Sequence, residues 1–333
     1  MNVQGFIFWI EAVVFAYLFG VAVYNGIFSF AGLFYRPPRI KKPSSKLNRI
    51  AVFIPAYKED EVIIPVGQAA LRQLYDRTMY NVIVIADSLK KETENRLRAE
   101  GVIVHPVSFE KSTKVKSIQS ALKAFPAYDI GVILDADNVM RPEFLTEVNK
   151  YYTDGWMAIQ GRRVAKNKNN SLAILDGISE SISNHIFRRG ARALGLSSPV
   201  IGSGMAFDMK LLTELMNSID AVGGFDKELQ IRLLKQNVPI LYLDHIEVLD
   251  EKVDNPNVFR NQRRRWVSSH YKYFAKFFID GIKALFKGQL SLFNITILLH
   301  IQLPRVLNMG LMFVFAVAAS VFPAYAFVPT MYW

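Results

Sequence analysis

Four short apolar runs, RIAVFIPAY, NVIVIAD, GVIVHPV and DIGVILDAD, recur between Asn48 and about Pro256, each followed by a longer stretch of helical texture. Strands that are apolar on both faces must be covered on both faces, and a strand–helix alternation does this around a mostly parallel sheet. The pattern therefore predicts an α/β domain. Ligands of such sheets bind beyond the carboxyl ends of the strands. Here those ends read Pro55-Ala56-Tyr57-Lys58-Glu59, Ala86-Asp87-Ser88 and Asp135-Ala136-Asp137-Asn138, and all three carry carboxylates.

The flanks have a different texture. Gly5 to Tyr35 is almost continuously apolar, interrupted mainly by Glu11, Tyr24 and Asn25, and is long enough to cross a hydrocarbon core of roughly 30 Å. A signal peptide would start with positive charge and carry a shorter apolar core, whereas this chain starts MNVQ. The basic stretch Arg36 to Lys42 that follows belongs on the cytoplasmic side by the positive-inside rule. After Trp266, the residues Phe274, Phe277, Phe278, Ile282 and Leu285 recur at helical spacing among Lys272, Lys276, Lys283 and Lys287. That is the pattern of an amphipathic helix in a bilayer interface. Leu290 to Leu303 contains His300, stops at Pro304 and reads as interfacial or re-entrant. Val306 to Trp333 holds no charged residue, so it is expected to span, and its abrupt aromatic end points to a further helix. The expected organisation is a membrane helix over 1–35, a basic cytoplasmic linker over 36–49, the α/β domain over 50–268, interfacial helices over 269–304 and a membrane helix over 305–333.

Composition agrees with a membrane protein: 51% of residues are hydrophobic and 13% aromatic. The absence of cysteine excludes disulfides, thiolate-bound zinc and thiol catalysis. The net charge of +11 suits nucleic acid, anionic lipid or a phosphorylated substrate. A nucleic-acid groove would need basic residues interleaved with stacking aromatics, but here they cluster beside the predicted membrane segments, so no nucleic-acid partner is expected.

Asp135 and Asp137 close the strand IGVIL, where two carboxylates one residue apart can jointly hold Mg²⁺ or Mn²⁺ with diphosphate oxygens. The plain alternative is a turn with two solvated acids. Asp87 either caps the next helix or bonds a base or ribose, and Tyr57 and Glu59 have the same two readings. Lys114 at a helix start reads first as a solvated lysine. Gly202-Ser203-Gly204 lacks the third glycine of a dinucleotide fingerprint, but its glycines allow a backbone to approach a ligand closely. Asp226, in Gly224-Phe225-Asp226-Lys227-Glu228-Leu229, reads locally as an N-cap.

The ordered set PAYKE, ADS, DAD, GSGMAF, GFDKEL and QRRRW resembles the membrane-embedded family 2 glycosyltransferases, the group with cellulose, chitin and hyaluronan synthases, from about Ile50 to Trp266. The resemblance implies a GT-A-type nucleotide-sugar-binding fold and a bacterial inner-membrane location. It implies that Tyr57, Glu59 and Asp87 hold the uridine of a UDP-sugar, with Lys114 near the nucleotide or its phosphates. Asp135 and Asp137 match the D-x-D, with Asp137 the direct metal ligand, and Gly202, Ser203 and Gly204 line the substrate site. Asp226 matches the catalytic aspartate of a Thr-Glu-Asp motif, although Gly224 and Phe225 stand in the first two places. Gln262, Arg265 and Trp266 match Q-x-x-R-W, with Arg265 on the diphosphate and Trp266 under the acceptor sugar, while Arg263 and Arg264 are structural or lipid-facing. The implied activity is inverting, metal-dependent transfer from a UDP-sugar to a growing β-linked polysaccharide. The alternatives are single transfer to a lipid and a catalytically inactive membrane subunit, which Phe225 alone favours.

Overall fold

The computed structural model describes residues 3–220, 223–323 and 326–333. Eight strands, β1 (Ile50–Tyr57), β2 (Tyr80–Asp87), β3 (Ile103–Val107), β4 (Ile130–Ile133), β5 (Val139–Met140), β6 (Ala158–Ala165), β7 (Met205–Asp208) and β8 (Leu241–Asp250), form one sheet in the order β3-β2-β1-β4-β7-β6-β8-β5. The helices are α1 (Val3–Leu33), α2 (Ile63–Ala70), α3 (Lys91–Ala99), α4 (Lys114–Ala124), α5 (Phe144–Thr153), α6 (Ser171–Ser183), α7 (Ala191–Ala193), α8 (Met209–Asn217), α9 (Phe225–Lys235), α10 (Pro256–Phe286), α11 (Leu290–Phe293) and α12 (Arg305–Val321).

The sheet is mixed rather than mostly parallel. β1 pairs in parallel with β2 and β4, β2 with β3, and β6 with β8, but β7 runs against both β4 and β6, and β5 against β8. The apolar runs visible in the sequence are the parallel half. β7 and β5 are too short, at four and two residues, to leave a pattern of their own. Alternating side chains of β1 serve both faces, as a two-residue period requires. Ile50, Val52 and Ile54 pack with Ile63, Phe144 and Leu145, whereas Ala51 and Phe53 pack with Ile118, Leu212 and Leu229. The chain leaves β1 toward β2 and β3, then returns to β4 on the other side of β1. That reversal opens a crevice at the carboxyl ends of β1 and β4.

α1 is 31 residues long, about 45 Å of helix, and apolar enough to cross a membrane. Three of its polar residues have partners beyond the helix. The Tyr24 hydroxyl donates to Asn294 Oδ1 at 2.9 Å, and Tyr17 Oη accepts from Leu303 N at 2.8 Å. Glu11, 5% exposed, accepts from the backbone N–H groups of Phe327 and Val328 at 2.8 and 3.0 Å. The apolar run from Val306 is not one helix: α12 stops at Val321 after 17 residues, and residues 326–333 bring Phe327 and Val328 to Glu11.

The boundary expected at 268 falls inside α10, one continuous helix of 31 residues. Asn255 caps it by accepting from Asn257 N and Val258 N, with Pro256 in the first turn, where a missing N–H is harmless. Its apolar residues divide. Tyr273 and Phe277 are buried with Ile231 and Leu234 of α9, while Tyr271, Phe278, Ile279 and Phe286 are exposed.

Candidate active site

Three parallel strand ends meet at the crevice. Tyr57 lies opposite Asp87 in the β1–β2 register, and β4 leads directly into Asp135 and Asp137. Both β1 and β2 leave the sheet through left-handed residues, Lys58 (φ 58°) and Ser88 (φ 61°). Such strain in non-glycine residues concentrates at binding sites. A cavity of about 320 Å³ is lined by Tyr57, Glu59, Asp87, Thr113, Lys114, Asp135 and Asp137. A second, of about 550 Å³, shares Lys114, Asp135 and Asp137 with it and continues past Gly202 to Asp226, Gln262, Arg263 and Trp266. The two make one bipartite cleft.

Lys114 joins the halves. Its ammonium pairs with Asp135 and donates to the Gly202 carbonyl at 2.8 Å. The Asp135 N–H donates to Ser203 Oγ at 2.9 Å, and Ser203 in turn donates to Asn138 Oδ1 at 2.6 Å. The Asn138 amide then donates to Asp137 Oδ1 at 2.8 Å and Asp250 Oδ1 at 2.9 Å. This chain of bonds fixes the two carboxylates of the D-x-D relative to the glycine loop. Gly202 and Gly204 both have positive φ, 83° and 62°, and a Cβ on Gly204 would stand 2.7 Å from Val248 Cγ2. Gly204→Ala is therefore expected to cost about 1–3 kcal/mol, read as a lowered thermal midpoint.

Burial and the neighbouring Asp135 and Asp250 push Asp137 up to about 6. Asp135 is paired with Lys114 and Asp250 with Lys252, whereas Asp137 is a buried carboxylate beside both acids, the donor chemistry a hard divalent cation relieves. Among the described residues no three acidic, histidine or cysteine side chains form a ready-made metal cage. Two carboxylates completed by substrate oxygens fit Mg²⁺ or Mn²⁺, which commonly bind in that way.

Asp226 sits in the first turn of α9, whose N-cap Gly224 is left-handed at φ 69°. A Cβ on Gly202 would stand 3.7 Å from Asp226 Oδ2, so only a glycine loop separates this carboxylate from Lys114 and the D-x-D. Burial pushes the Asp226 carboxyl up, with Lys227 and Lys114 pulling partly the other way. Phe225, in the place of the family glutamate, is 5% exposed in the core, and its ring lies 5.3 Å from the Lys114 ammonium. It anchors the start of α9.

On α10 the helical period separates residues that the sequence motif groups. Gln262, Arg263, Trp266 and Ser269 line the cavity, while Arg265 is exposed and stands outside the lining. Arg263 pairs with Asp176, and its guanidinium lies 4.7 Å from the Trp266 ring and 4.8 Å from the Phe259 ring. Arg263, where the resemblance implied Arg265, thus stands at the cavity: at about 100° per residue Arg263 lies about 60° from Trp266 around the axis, whereas Arg265 lies about 100° away on its other side. Arg263→Ala is expected to lower kcat/KM roughly 10- to 100-fold, while Arg265→Ala stays within about twofold, in parallel steady-state assays.

Sequence reasoning missed the far wall of the cavity. Arg163 on β6 bonds Glu180 at 2.7 Å, Lys252 bonds Asp250 at 2.7 Å, and Arg188 stands 3.6 Å from Glu180. Burial alone would raise Glu180, but Arg163, Arg188 and Lys252 hold it down at about 2. One signal was available: β8 ends on Asp250-Glu251-Lys252, and the strand-end rule that found Asp87 applies there equally. Arg163 and Glu180 left none, since they meet only through the tertiary fold.

Residues 48–269 match the family described as "Glycosyltransferase like family 2". The chain belongs to that family. Among solved structures, the mannosyltransferase PcManGT from Pyrobaculum calidifontis, in complex with GDP-Man and Mn²⁺, is similar at 17% identity and a TM-score of 0.66. The match covers 96% of this chain and 89% of that one. Glucosyl-3-phosphoglycerate synthase from Mycobacterium tuberculosis, with Mn²⁺, UDP and phosphoglyceric acid, matches at 19% identity and a TM-score of 0.48, covering 68% of this chain and 82% of that one. No curated protein matches the sequence.

Proposed function

We propose that this family 2 glycosyltransferase moves one sugar from a nucleoside-diphosphate sugar, UDP-linked in the first instance, to a hydroxyl of a lipid-held acceptor at the cytoplasmic membrane face, with inversion. The observation that carries this is the bipartite cleft, in which the strand ends around Asp87 and the wall around Asp226 meet at Lys114. Its first half is built by β1, β2 and β4, which suits a nucleotide. Its second half is walled by α10 and by α6, whose Ser179 and Ser183 meet Arg305 at the start of the apolar helix α12, which suits an acceptor delivered from a membrane.

The Asp226 carboxylate takes the proton of the acceptor hydroxyl, acting as general base. The acceptor oxygen forms its bond to the anomeric carbon on the face opposite the diphosphate. The old bond to the diphosphate oxygen breaks, and its electron pair leaves with the nucleoside diphosphate. An α-linked donor then yields a β-glycoside, and no second carboxylate is needed as leaving-group acid. Bound at Asp137 and Asp135, Mg²⁺ or Mn²⁺ would neutralise charge on the departing diphosphate. Lys114 keeps Asp135 and Gly202 in place, and Trp266 offers an apolar face for the acceptor sugar.

The second reading, extension of a polysaccharide as in cellulose, chitin and hyaluronan synthases, is supported by the order of the motifs and by Trp266 in the cavity. One assay decides. Membranes holding the protein are given a panel of labelled nucleotide sugars with Mg²⁺ or Mn²⁺, and products are extracted and sized. A single organic-extractable product supports lipid transfer, a ladder supports polymerisation, and no turnover with any donor supports an inactive subunit.

A further inference from the structure

Helix α6 is built inside out. Ile174, Leu175 and Ile178, with exposures of 43%, 64% and 51%, share one outward face with Ile182. On a helix advancing about 100° per residue, these four fall within an arc of roughly 100°. The opposite face carries Asp176, Ser179, Glu180 and Ser183, and these line the cavity. A surface helix of a water-soluble domain turns its apolar stripe to the core and its acids to solvent. Here the acids face in, held by Arg163, Lys252 and Arg263, and the aliphatic ridge faces out.

The neighbours of this ridge identify what covers it. Arg305, the first residue of the apolar helix α12, bonds Ser183 Oγ at 2.9 Å and Ser179 Oγ at 3.4 Å, so α12 starts against α6. The segment Asn184–Gly190 continues α6 without a break. There the His185 ring nitrogen lies 2.9 Å from the Ser29 carbonyl of α1, and a Cβ on Gly190 would collide with the Phe28 backbone. The helices packed beside α6 and its continuation carry exposed apolar side chains of their own, Phe19, Val23 and Phe30 on α1 and Val306, Met309 and Phe313 on α12. Lys168 precedes it in the chain and Arg305 flanks it, positive charge of the kind that suits anionic head groups, while Lys166 beside them pairs with Glu251.

We propose that α6 lies in the interfacial layer of the bilayer, with Ile174, Leu175, Ile178 and Ile182 among the acyl chains, and that it forms the lipid-side wall of the acceptor half of the cleft. This deepens the lipid-acceptor reading by naming the element through which the membrane reaches the site. The acidic inner face and the apolar outer face of one helix then put the lipid surface one helix diameter, about 10 Å, from the reacting groups.

The chain has no cysteine, so a single introduced thiol reports alone. The full chain carrying Ile178→Cys, labelled with an environment-sensitive fluorophore, is reconstituted in phosphatidylcholine–phosphatidylglycerol vesicles with and without doxyl-lipid quencher. The reference is Asn95→Cys on α3, an exposed position packed near the β3 edge of the sheet, away from β6. The expected result is at least threefold stronger lipid quenching at 178 than at 95, together with protection of 178 from aqueous iodide. Equal lipid quenching at both positions overturns the proposal. So does weak lipid quenching at 178 with iodide protection, which would mean a second copy of the chain covers the ridge. Retained thermal midpoints in the labelled variants establish folding. No donor or acceptor enters the measurement, so its failure is separate from failure of the transfer reaction.

Discussion

Asp226→Asn is expected to lower kcat by about 10²- to 10⁴-fold while leaving donor affinity within a few-fold. The substitution keeps the size of the side chain and removes only its capacity to accept a proton. Asp226 lines the larger half of the cleft, proposed for the acceptor, and faces the D-x-D across Gly202, so the half around Asp87 and Tyr57, proposed for the nucleotide, is untouched. Burial raises the Asp226 carboxyl above the usual carboxylate range. A base must be ionised to act, so the acid limb of kcat/KM should lie at higher pH than an exposed aspartate would give, with activity rising as pH rises through it. The measurements are nucleotide binding by titration calorimetry and a pH–rate profile on membranes. A variant that loses donor binding along with turnover would remove Asp226 from the role of base and make it part of the donor site.

The parallel half of the fold and most of the residues lining the candidate cleft were legible because they depend on local pattern. A strand buried on both faces is apolar without interruption, and its carboxyl end must turn into the crevice. Asp87, Asp135 and Tyr57 therefore followed from strand positions alone. What stayed hidden depends on the third dimension. β7 and β5 are short strands that pair against the run of the sheet, and nothing in four or two residues announces direction. The motif Gln262 to Trp266 reads as a unit along the chain, yet a helix distributes it around its axis and sends Arg265 outward while Arg263 enters the cavity. α6 stayed hidden for a related reason. Its residues alternate helically as in any amphipathic helix, and only the fold reveals that the acids point in. The Glu11 contact joins residues more than three hundred positions apart, which no local pattern encodes.

Asp137→Asn is expected to abolish turnover and, in the metal-free protein, to raise stability. Asp137 has a folded-state value of about 6 against an ordinary 3.8, mainly through burial and then through Asp135 and Asp250. A carboxyl raised in this way favours folding when protonated, so stability falls as pH climbs from about 4 through about 6. At pH 7 the ionised group costs about 1–3 kcal/mol. Asparagine carries no charge and retains an oxygen for the Asn138 amide that now reaches Asp137 Oδ1. The variant should therefore melt a few degrees higher at pH 7 than the unsubstituted protein, and the gap should close below about pH 4. Added Mn²⁺ with nucleoside diphosphate should reverse the order, because binding to the folded state stabilises only a protein that binds. If the variant melts lower at pH 7 without metal, the ionised Asp137 does not burden the fold and its carboxyl is not raised by burial and its acidic neighbours. If it still gains stability from Mn²⁺ and nucleotide, Asp137 is not the carboxylate that holds the ion, and the ammonium-paired Asp135 becomes the better ligand. A buried carboxylate raised beside two ion-paired acids is thus the sign of a site that gives up stability in isolation to gain it when the cation and diphosphate arrive together.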